Sequence, residues 1–293
     1  MGTLLRHGAP ELKERYLPGV ADGSLRLQAF GVTEPDAGSD TTRISTSAER
    51  IGDRFRINGQ KIYISRVQHS DLMLLLARTA PREDAQPTRG LSLFLVDLRE
   101  AGEAVTARQL RMLMNNETNE LTISDLEVPD DHLVGAEGEG FRHILDGWNA
   151  ERILIAAECV GDGRWFTERA ARYAGERTVF GRKLGSNQGI QFPIAAAHAQ
   201  IEAAALVQRR AASRFDAGLS CGPDANMAKY LASEASWAAA NACIDTLGGN
   251  GFNADFDAER KFRETRLYRV APVSNNLVLA YIGHRVLGMP KSY

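Results

Sequence analysis

The 293 residues carry 35 basic and 37 acidic side chains, so the formal charge of −2 provides no basic surface for a nucleic-acid backbone and no polybasic membrane tether. Apolar residues make up 44% of the chain, which is enough for a full core and, at this length, for about two domains. The expected ligands are therefore small molecules and other protein chains.

The cysteines and the chain start bear on compartment. Cys159, Cys221 and Cys243 are odd in number and far apart, which matches neither a disulfide framework nor the paired ligands of a zinc site. We expect reduced thiols and no bound metal. The first residues contain no signal-peptide apolar core, and the apolar run Leu72–Ala77 ends at Arg78, short of a membrane span. The sequence predicts a cytoplasmic protein.

The N-terminal part of the chain changes character near residue 23. Residues 1–22 show a short helical pattern that ends near Leu17-Pro18-Gly19 and resembles the end of a larger helical domain. Residues 23–130 consist of short runs rich in β-branched and aromatic residues, separated by turn signals at Gly52-Asp53 and Asn58-Gly59. We predict an antiparallel β domain, of barrel or sandwich type, over 23–130.

Three apolar runs supply the main strands of this domain. Leu72–Ala77 and Leu91–Val96 are nearly continuous and are predicted as central strands, with a polar loop over 82–89 between them. Leu121–Val128 closes the set before Pro129.

Residues 131–293 are rich in helix formers. The longest pattern lies within Phe141–Gly181, where apolar residues recur at spacings of four and seven on one helix face: Ile144, Trp148, Ile155, Cys159, Phe166 and Tyr173. Three more helices are predicted over about 194–217, 225–247 and 275–287. The predicted class is α+β, with the β domain followed by an up-and-down four-helix bundle.

Glu151 interrupts the apolar face of the long helix, three residues after Trp148 and four before Ile155. Burial disfavours the charged carboxylate and raises its pKa, as a general base working near neutral pH requires. A buried helix carboxylate more often pairs with an arginine of a neighbouring helix. The pattern alone leaves both interpretations open.

Five segments, in this order, resemble the acyl-CoA dehydrogenase family of flavoproteins: FGVTEPDAGSD from Phe30, GQKIYIS from Gly59, NAERILIAAECVG from Asn149, ERTVFGRKLGSNQGIQF from Glu176, and LGGNGF from Leu247 with ERKFRETRLY from Glu259. Taken alone, the first could be an ordinary hairpin connection and Arg177 could form a surface ion pair with Glu176. Together they span nearly the whole chain. The resemblance implies a middle β domain and a C-terminal bundle with FAD held between them, and an N-terminal helical domain of which residues 1–22 are a remnant.

The resemblance also implies site residues. The flavin side would be formed by Phe30, Val32, Thr33, Ser39, Tyr63 and Ser65, with further cofactor contacts from Ser274 and Asn276. Other residues would contact the FAD bound in a neighbouring subunit, on its pyrophosphate and adenine side: Arg177, Phe180 and Gln188, with Asp245, Gly248 and Gly249. Ser39, Asn149 and Arg152 would contact the acyl-CoA thioester.

Three positions depart from the family pattern. Most members place the catalytic glutamate where this chain has Pro272, which cannot act as a base; a minority carry it on the central helix, at the position of Glu151. Tyr63 replaces the usual Trp, and Asp245 stands where Gln is common. Glu151 is thus the predicted base both by burial and by resemblance.

The function implied is FAD-dependent α,β-dehydrogenation of an acyl-CoA thioester in fatty acid metabolism, with electrons passed to an electron-transferring flavoprotein. The implied assembly is a homotetramer. The alternative is a non-catalytic relative that keeps the bundle for oligomerisation, which Pro272 and the short N-terminal region favour and Glu151 opposes.

Overall fold

The structure, a computed structural model, describes residues 1–114 and 117–292, apart from the side chain of Asp146. The chain forms two compact units, Met1–Gly147 and Trp148–Tyr293. The division between them falls within the long helix.

The first unit begins with two helices, α1 (Gly2–His7) and α2 (Pro10–Asp22). Helix α2 continues past the predicted end near Gly19 and stops where Gly23 adopts a left-handed conformation, with φ of 82°. The buried Tyr16 hydroxyl lies 3.3 Å from Nε2 of His132. The N-terminal segment is therefore packed into the first unit.

Seven strands form one sheet in the order β1-β4-β2-β3-β7-β6, with β5 paired to β4. Their bounds are Leu27–Gly31 for β1, Ser47–Ile51 for β2, Arg54–Ser65 for β3, Leu72–Arg78 for β4, Leu91–Asp97 for β5, Val105–Gln109 for β6 and Thr118–Pro129 for β7. Most pairs are antiparallel, but β1 and β2 run parallel to β4. The α+β class is confirmed. The sheet, predicted as antiparallel, is mixed, because the segment that contains the β2–β3 hairpin connects β1 to β4 and lets these two strands run in the same direction.

The turn predicted at Asn58-Gly59 is wrong, because β3 runs through both residues. The ladder between β3 and β7 shifts register there, as in a β-bulge, and Asn58 pairs with Asp125 of β7 through its side chain. A Cβ on Gly59 would lie 2.7 Å from Cα of Thr46, so only glycine permits this approach. The turn at Gly52-Asp53 between β2 and β3 is confirmed.

The predicted strands at Leu72, Leu91 and Leu121 are confirmed, and each extends slightly further than predicted. Strand β4 is central. Strand β5 was also predicted as central, but it is paired along its length only with β4. It is fully buried, and on its other side it makes only the isolated bridges to Leu133 and Glu139 within the described residues. Strand β6 was missed because four of its five residues are exposed and it lacks an apolar run.

The second unit is helical, with α3 (Gly140–Glu176) entering from the first. The others are α4 (Gln188–Asp216), α5 (Gly222–Leu247), α6 (Ala258–Arg266) and α7 (Asn275–Tyr281), which continues as a π-helical turn over Ile282–Val286. A small hairpin, β8 (Thr178–Val179) and β9 (Arg182–Lys183), precedes α4. The four predicted helices are confirmed, and the short, highly charged α6 was missed.

The core of the second unit contains many alanines of α4 and α5, which allow close helix approach. Cys159, Cys221 and Cys243 are buried and form no disulfide among the described residues. Burial raises the pKa of the Cys243 thiol to about 12 and that of Cys159 further still. By length and composition alone α4 could also cross a membrane, as could the core helix of a soluble protein. In this structure 22% of its most apolar 18-residue stretch is buried.

Candidate active site

The FGVTEPDAGSD loop leaves the end of β1 and is held by β3. Thr33 accepts a 2.8 Å hydrogen bond at its carbonyl from the Ile62 N–H, and the Val32 carbonyl accepts one of 3.1 Å from Nζ of Lys61. Val32 and Thr33 therefore lie beside Lys61 and Ile62, at the start of KIYIS.

The loop leaves donors available for a ligand. Neither the N–H nor the hydroxyl of Thr33 is hydrogen-bonded to any residue that the structure describes. Unpaired peptide donors of this kind normally bind water or a ligand. They suit a ligand that presents carbonyl oxygens and ring nitrogens.

A buried ion pair lies beneath this loop. Lys61 is completely buried and Glu34 is 4% exposed, and Nζ lies 2.8 Å from Oε1. The other carboxylate oxygen accepts 2.6 and 2.8 Å hydrogen bonds from the N–H and hydroxyl of Ser45. Burial raises the pKa of Glu34, but the Lys61 ammonium and these donors outweigh it and lower that pKa to about 2.

The remaining predicted residues of the first unit lie in β1, in β3 and in the loop after β1. Tyr63 is 58% exposed at a second irregularity of β3, with a left-handed φ of 60°. Ser65 is half-buried at the end of β3, and Phe30 is half-buried in β1. Ser39 is exposed on the loop. Bulges that re-aim a side chain are common beside active sites.

The second unit contains a cavity of about 390 Å³ that brings three predicted residues together, Arg177, Gly248 and Gly249. Gly248 has φ 58° and ψ −130°, a conformation that side chains disfavour. The Arg177 guanidinium forms no ion pair within the described residues, so the interpretation as a pair with Glu176 is not supported. An unpaired arginine beside an open glycine backbone suits a phosphate ligand.

Three other predicted residues lie outside this cavity. Phe180 is fully exposed at the tip of the β8–β9 hairpin, where it and Gly181 both have positive φ, as in a type I′ turn. Gln188 begins α4 and Asp245 lies on α5, and both are exposed.

Glu151 lies half-buried on α3 and has no hydrogen bond or ion pair to the part of the chain that the structure describes. Burial raises its pKa, and the neighbouring Arg152 charge opposes this only in part. Arg152 donates to Oδ1 of Asn149 at 3.3 Å, while its buried Nε has no partner among the described residues. Glu151 and two of the predicted substrate residues, Asn149 and Arg152, thus lie within one turn of α3, whereas Ser39 belongs to a loop of the first unit.

The segment before α7 is fixed by a residue that the sequence analysis missed. Lys229 of α5 is completely buried and donates to the Val273 carbonyl and to Oδ1 of Asn275. The Ser274 hydroxyl accepts a hydrogen bond from the Leu277 N–H as the helix cap, and Asn276 is exposed. Among the described residues no group of three or more His, Cys, Asp or Glu could hold a metal ion.

Comparisons with known proteins agree on one enzyme class. Residues 29–126 match the middle domain of acyl-CoA dehydrogenases, and residues 138–287 match their C-terminal domain. An acyl-CoA dehydrogenase, fadE12, of Mycobacterium bovis is 37% identical over 296 residues, covering 100% of this chain and 75% of that relative.

Solved structures show the same likeness. A glutaryl-coenzyme A dehydrogenase in complex with glutaryl-CoA superposes with a TM-score of 0.92 at 33% identity, covering 99% of this chain and 73% of the other. An FAD complex of PigA gives 0.91 at 27% identity, covering 98% and 74%. The chain belongs to the acyl-CoA dehydrogenase family, and is therefore an oxidoreductase.

Proposed function

We propose that this chain is an FAD-dependent dehydrogenase that forms a double bond between the α and β carbons of an acyl-CoA thioester. The observation that carries the proposal is Glu151, a half-buried carboxylate that forms no ion pair with any described residue. A carboxylate kept only for structure would be expected to have one. The relative bound to glutaryl-CoA supports a CoA thioester as the substrate class.

The cofactor is FAD, and the chain offers donors that fit it. The N–H and hydroxyl of Thr33, which have no partner among the described residues, suit the acceptor atoms of the flavin ring. Arg177 with the Gly248-Gly249 backbone suits the pyrophosphate of the FAD in a neighbouring subunit. Phe30, Tyr63 and Ser65 complete the flavin side of the site. Ser274 and Asn276 make further contacts to the cofactor. FAD, when bound, supplies the acceptor for the β-hydride.

Glu151 removes the proton from the α carbon, and the proton is then held on its carboxyl group. Burial raises the pKa of this carboxyl, which makes the carboxylate a stronger base towards a carbon acid. Arg152, with Asn149 and Ser39, binds the thioester side of the substrate. The unpartnered Nε of Arg152 is a donor for this purpose.

The finer assignments follow from the family resemblance. Electrons pass to an electron-transferring flavoprotein, and the chain works in fatty acid metabolism in the cytoplasm. Arg177, Phe180 and Gln188, with Asp245, serve the FAD of a neighbouring subunit, so the active form is a homotetramer. Its domains are the N-terminal remnant over 1–22, the middle β domain over 23–130 and the C-terminal helical bundle over 131–293.

A single anaerobic titration tests the proposal. The purified chain is loaded with FAD, separated from free cofactor, and mixed with a series of acyl-CoA thioesters while the flavin absorbance is followed. We expect bleaching with at least one thioester. A protein that takes up no FAD, or whose flavin stays oxidised throughout, would overturn it.

Pro272 favours one rival function, a non-catalytic relative that binds FAD without turnover, because it occupies the position of the base in most members. The same titration separates the two. A stable yellow protein that no thioester bleaches would support the rival. Light scattering measures the oligomeric state. A monomer that retains FAD would contradict a FAD site formed by two subunits.

A further inference from the structure

The ammonium of Lys61 contacts one peptide group of the FGVTEPDAGSD loop that follows β1. Its Nζ donates to the Val32 carbonyl at 3.1 Å. That carbonyl and the Thr33 N–H are opposite ends of the same planar peptide unit. The Thr33 N–H donates to no residue in the described ranges 1–114 and 117–292. The cation therefore lies at the accepting end of a peptide whose donating end is available.

Glu34 keeps the ammonium in this position. Its Oε1 lies 2.8 Å from Nζ and also accepts a 3.0 Å hydrogen bond from the Thr46 N–H. Because both charged side chains are almost completely buried, solvent and salt screen them little.

We propose that Lys61 is a positioning residue that strengthens the Thr33 N–H as a hydrogen-bond donor to the bound flavin, an inference that rests on the proposed function. A cation at a carbonyl oxygen draws electron density from the peptide and makes its N–H a better donor, as in cooperative hydrogen-bond chains. Reduction increases the electron density of the flavin. The stronger donor therefore stabilises the reduced flavin more than the oxidised one and raises its reduction potential.

A purely structural pair is the alternative. Replacing a buried ion pair by apolar residues of similar volume is often neutral for stability, so stability alone cannot distinguish the two roles. The reduction potential of the bound flavin can, because it depends on donor strength at the ring and not on how firmly the chain is folded.

The test uses the FAD-loaded full chain and two variants. Lys61→Met/Glu34→Gln removes both charges and leaves no unpaired ion, and Lys61→Gln keeps a neutral donor near the Val32 carbonyl. We expect the double variant to lower the equilibrium constant for two-electron reduction against a reference dye by about tenfold, equivalent to about 30 mV. Lys61→Gln should lie between the parent and the double variant.

Ile57→Ala is the matched control, because Ile57 is a completely buried residue of the same strand. It should lower the thermal midpoint and leave the potential at the parent value. If the Lys61 variants bind FAD with the potential of the parent, the inference is overturned and the proposed function stands. If the folded parent binds no FAD, the proposed function fails first, and this inference with it.

Discussion

Lys229 donates a 2.7 Å hydrogen bond from its completely buried ammonium to Oδ1 of Asn275, the first residue of α7. The same ammonium holds the Val273 carbonyl at 2.7 Å. Burial lowers the pKa of Lys229 to about 8. The lysine thus fixes where α7 begins, next to the segment that contains Pro272.

Asn275→Ala removes one of the two acceptors of this buried charge. A lost hydrogen bond to a charged group should lower the free energy of unfolding by about 1.5–3 kcal/mol. Urea unfolding of the apoprotein measures the change. Asn276→Ala, one residue on and exposed, is the matched control and should unfold like the parent. Equal midpoints for all three proteins would contradict a stabilising role for the Lys229–Asn275 contact.

The Glu34–Lys61 pair should make the first unit sensitive to acid. Glu34 has a pKa of about 2 in the folded chain against an ordinary value of 4.5, so between these values only the unfolded chain holds the proton. This difference in pKa contributes about 3 kcal/mol to the free energy of unfolding. The contribution is fully present above pH 4.5 and is lost as the pH falls towards 2.

Unfolding measured between pH 5 and pH 2.5 checks this. The double variant Glu34→Gln/Lys61→Met should lose less stability over that range than the parent, and Glu49→Gln, at an exposed position of β2, should follow the parent. Parallel curves for the double variant and the parent would show that the pair does not titrate as described.

Glu151→Gln keeps the side-chain volume and removes the base. We expect folding and FAD content close to those of the parent, and a rate of flavin reduction by a good acyl-CoA lower by about 10²–10⁴-fold, since that is what a general base contributes. Stopped-flow absorbance measures it. Glu168→Gln on the exposed side of α3 is the control. If the flavin of the Glu151→Gln variant is reduced at the parent rate, the base is a residue other than Glu151.

Arg177→Ala should weaken FAD binding. Loss of a charge-assisted contact to phosphate costs about 1.5–3 kcal/mol, which is about a 10–100-fold rise in Kd. Fluorescence titration of the apoprotein with FAD measures this. Arg172→Ala, which removes an exposed arginine near the end of α3, should leave the Kd unchanged. Equal weakening by both variants would point to general electrostatics instead of a specific contact.

Phe180→Asn separates backbone strain from ligand contact. Phe180 has a φ of 52° at the first position of a two-residue hairpin turn, where Asn followed by Gly is preferred. The variant should raise the free energy of unfolding by about 1 kcal/mol. If Phe180 also touches the cofactor of a neighbouring subunit, FAD affinity should fall at the same time. Improved stability with unchanged affinity would remove Phe180 from the cofactor site.

Elements with strong apolar periodicity could be predicted from the sequence. Strand β4, strand β5 and the four predicted helices occur where the patterns placed them. The Asn58-Gly59 signal failed because a bulge and a turn favour the same two residues, and only the partner strand β7 distinguishes them. Helix α6 was missed because its residues are mostly charged and its burial depends on tertiary contacts.

The site residues show a similar limit. The half-burial of Glu151 could be inferred from its place in an apolar stripe. Lys61 could have been inferred too, because it alternates with Phe55 and Ile57 on the inward face of β3. Its partner Glu34 could not, since the two lie 27 residues apart and meet only through the fold.

The buried thiols have a practical consequence for labelling. Cys159, Cys221 and Cys243 are each at most 5% exposed, and burial raises the pKa of Cys159 and Cys243, so alkylating reagents reach them slowly in the native state. Their modification rate reports opening of the helical unit. A cysteine introduced at an exposed position, such as the tip of the β8–β9 hairpin, can accept a fluorophore without removal of the native three.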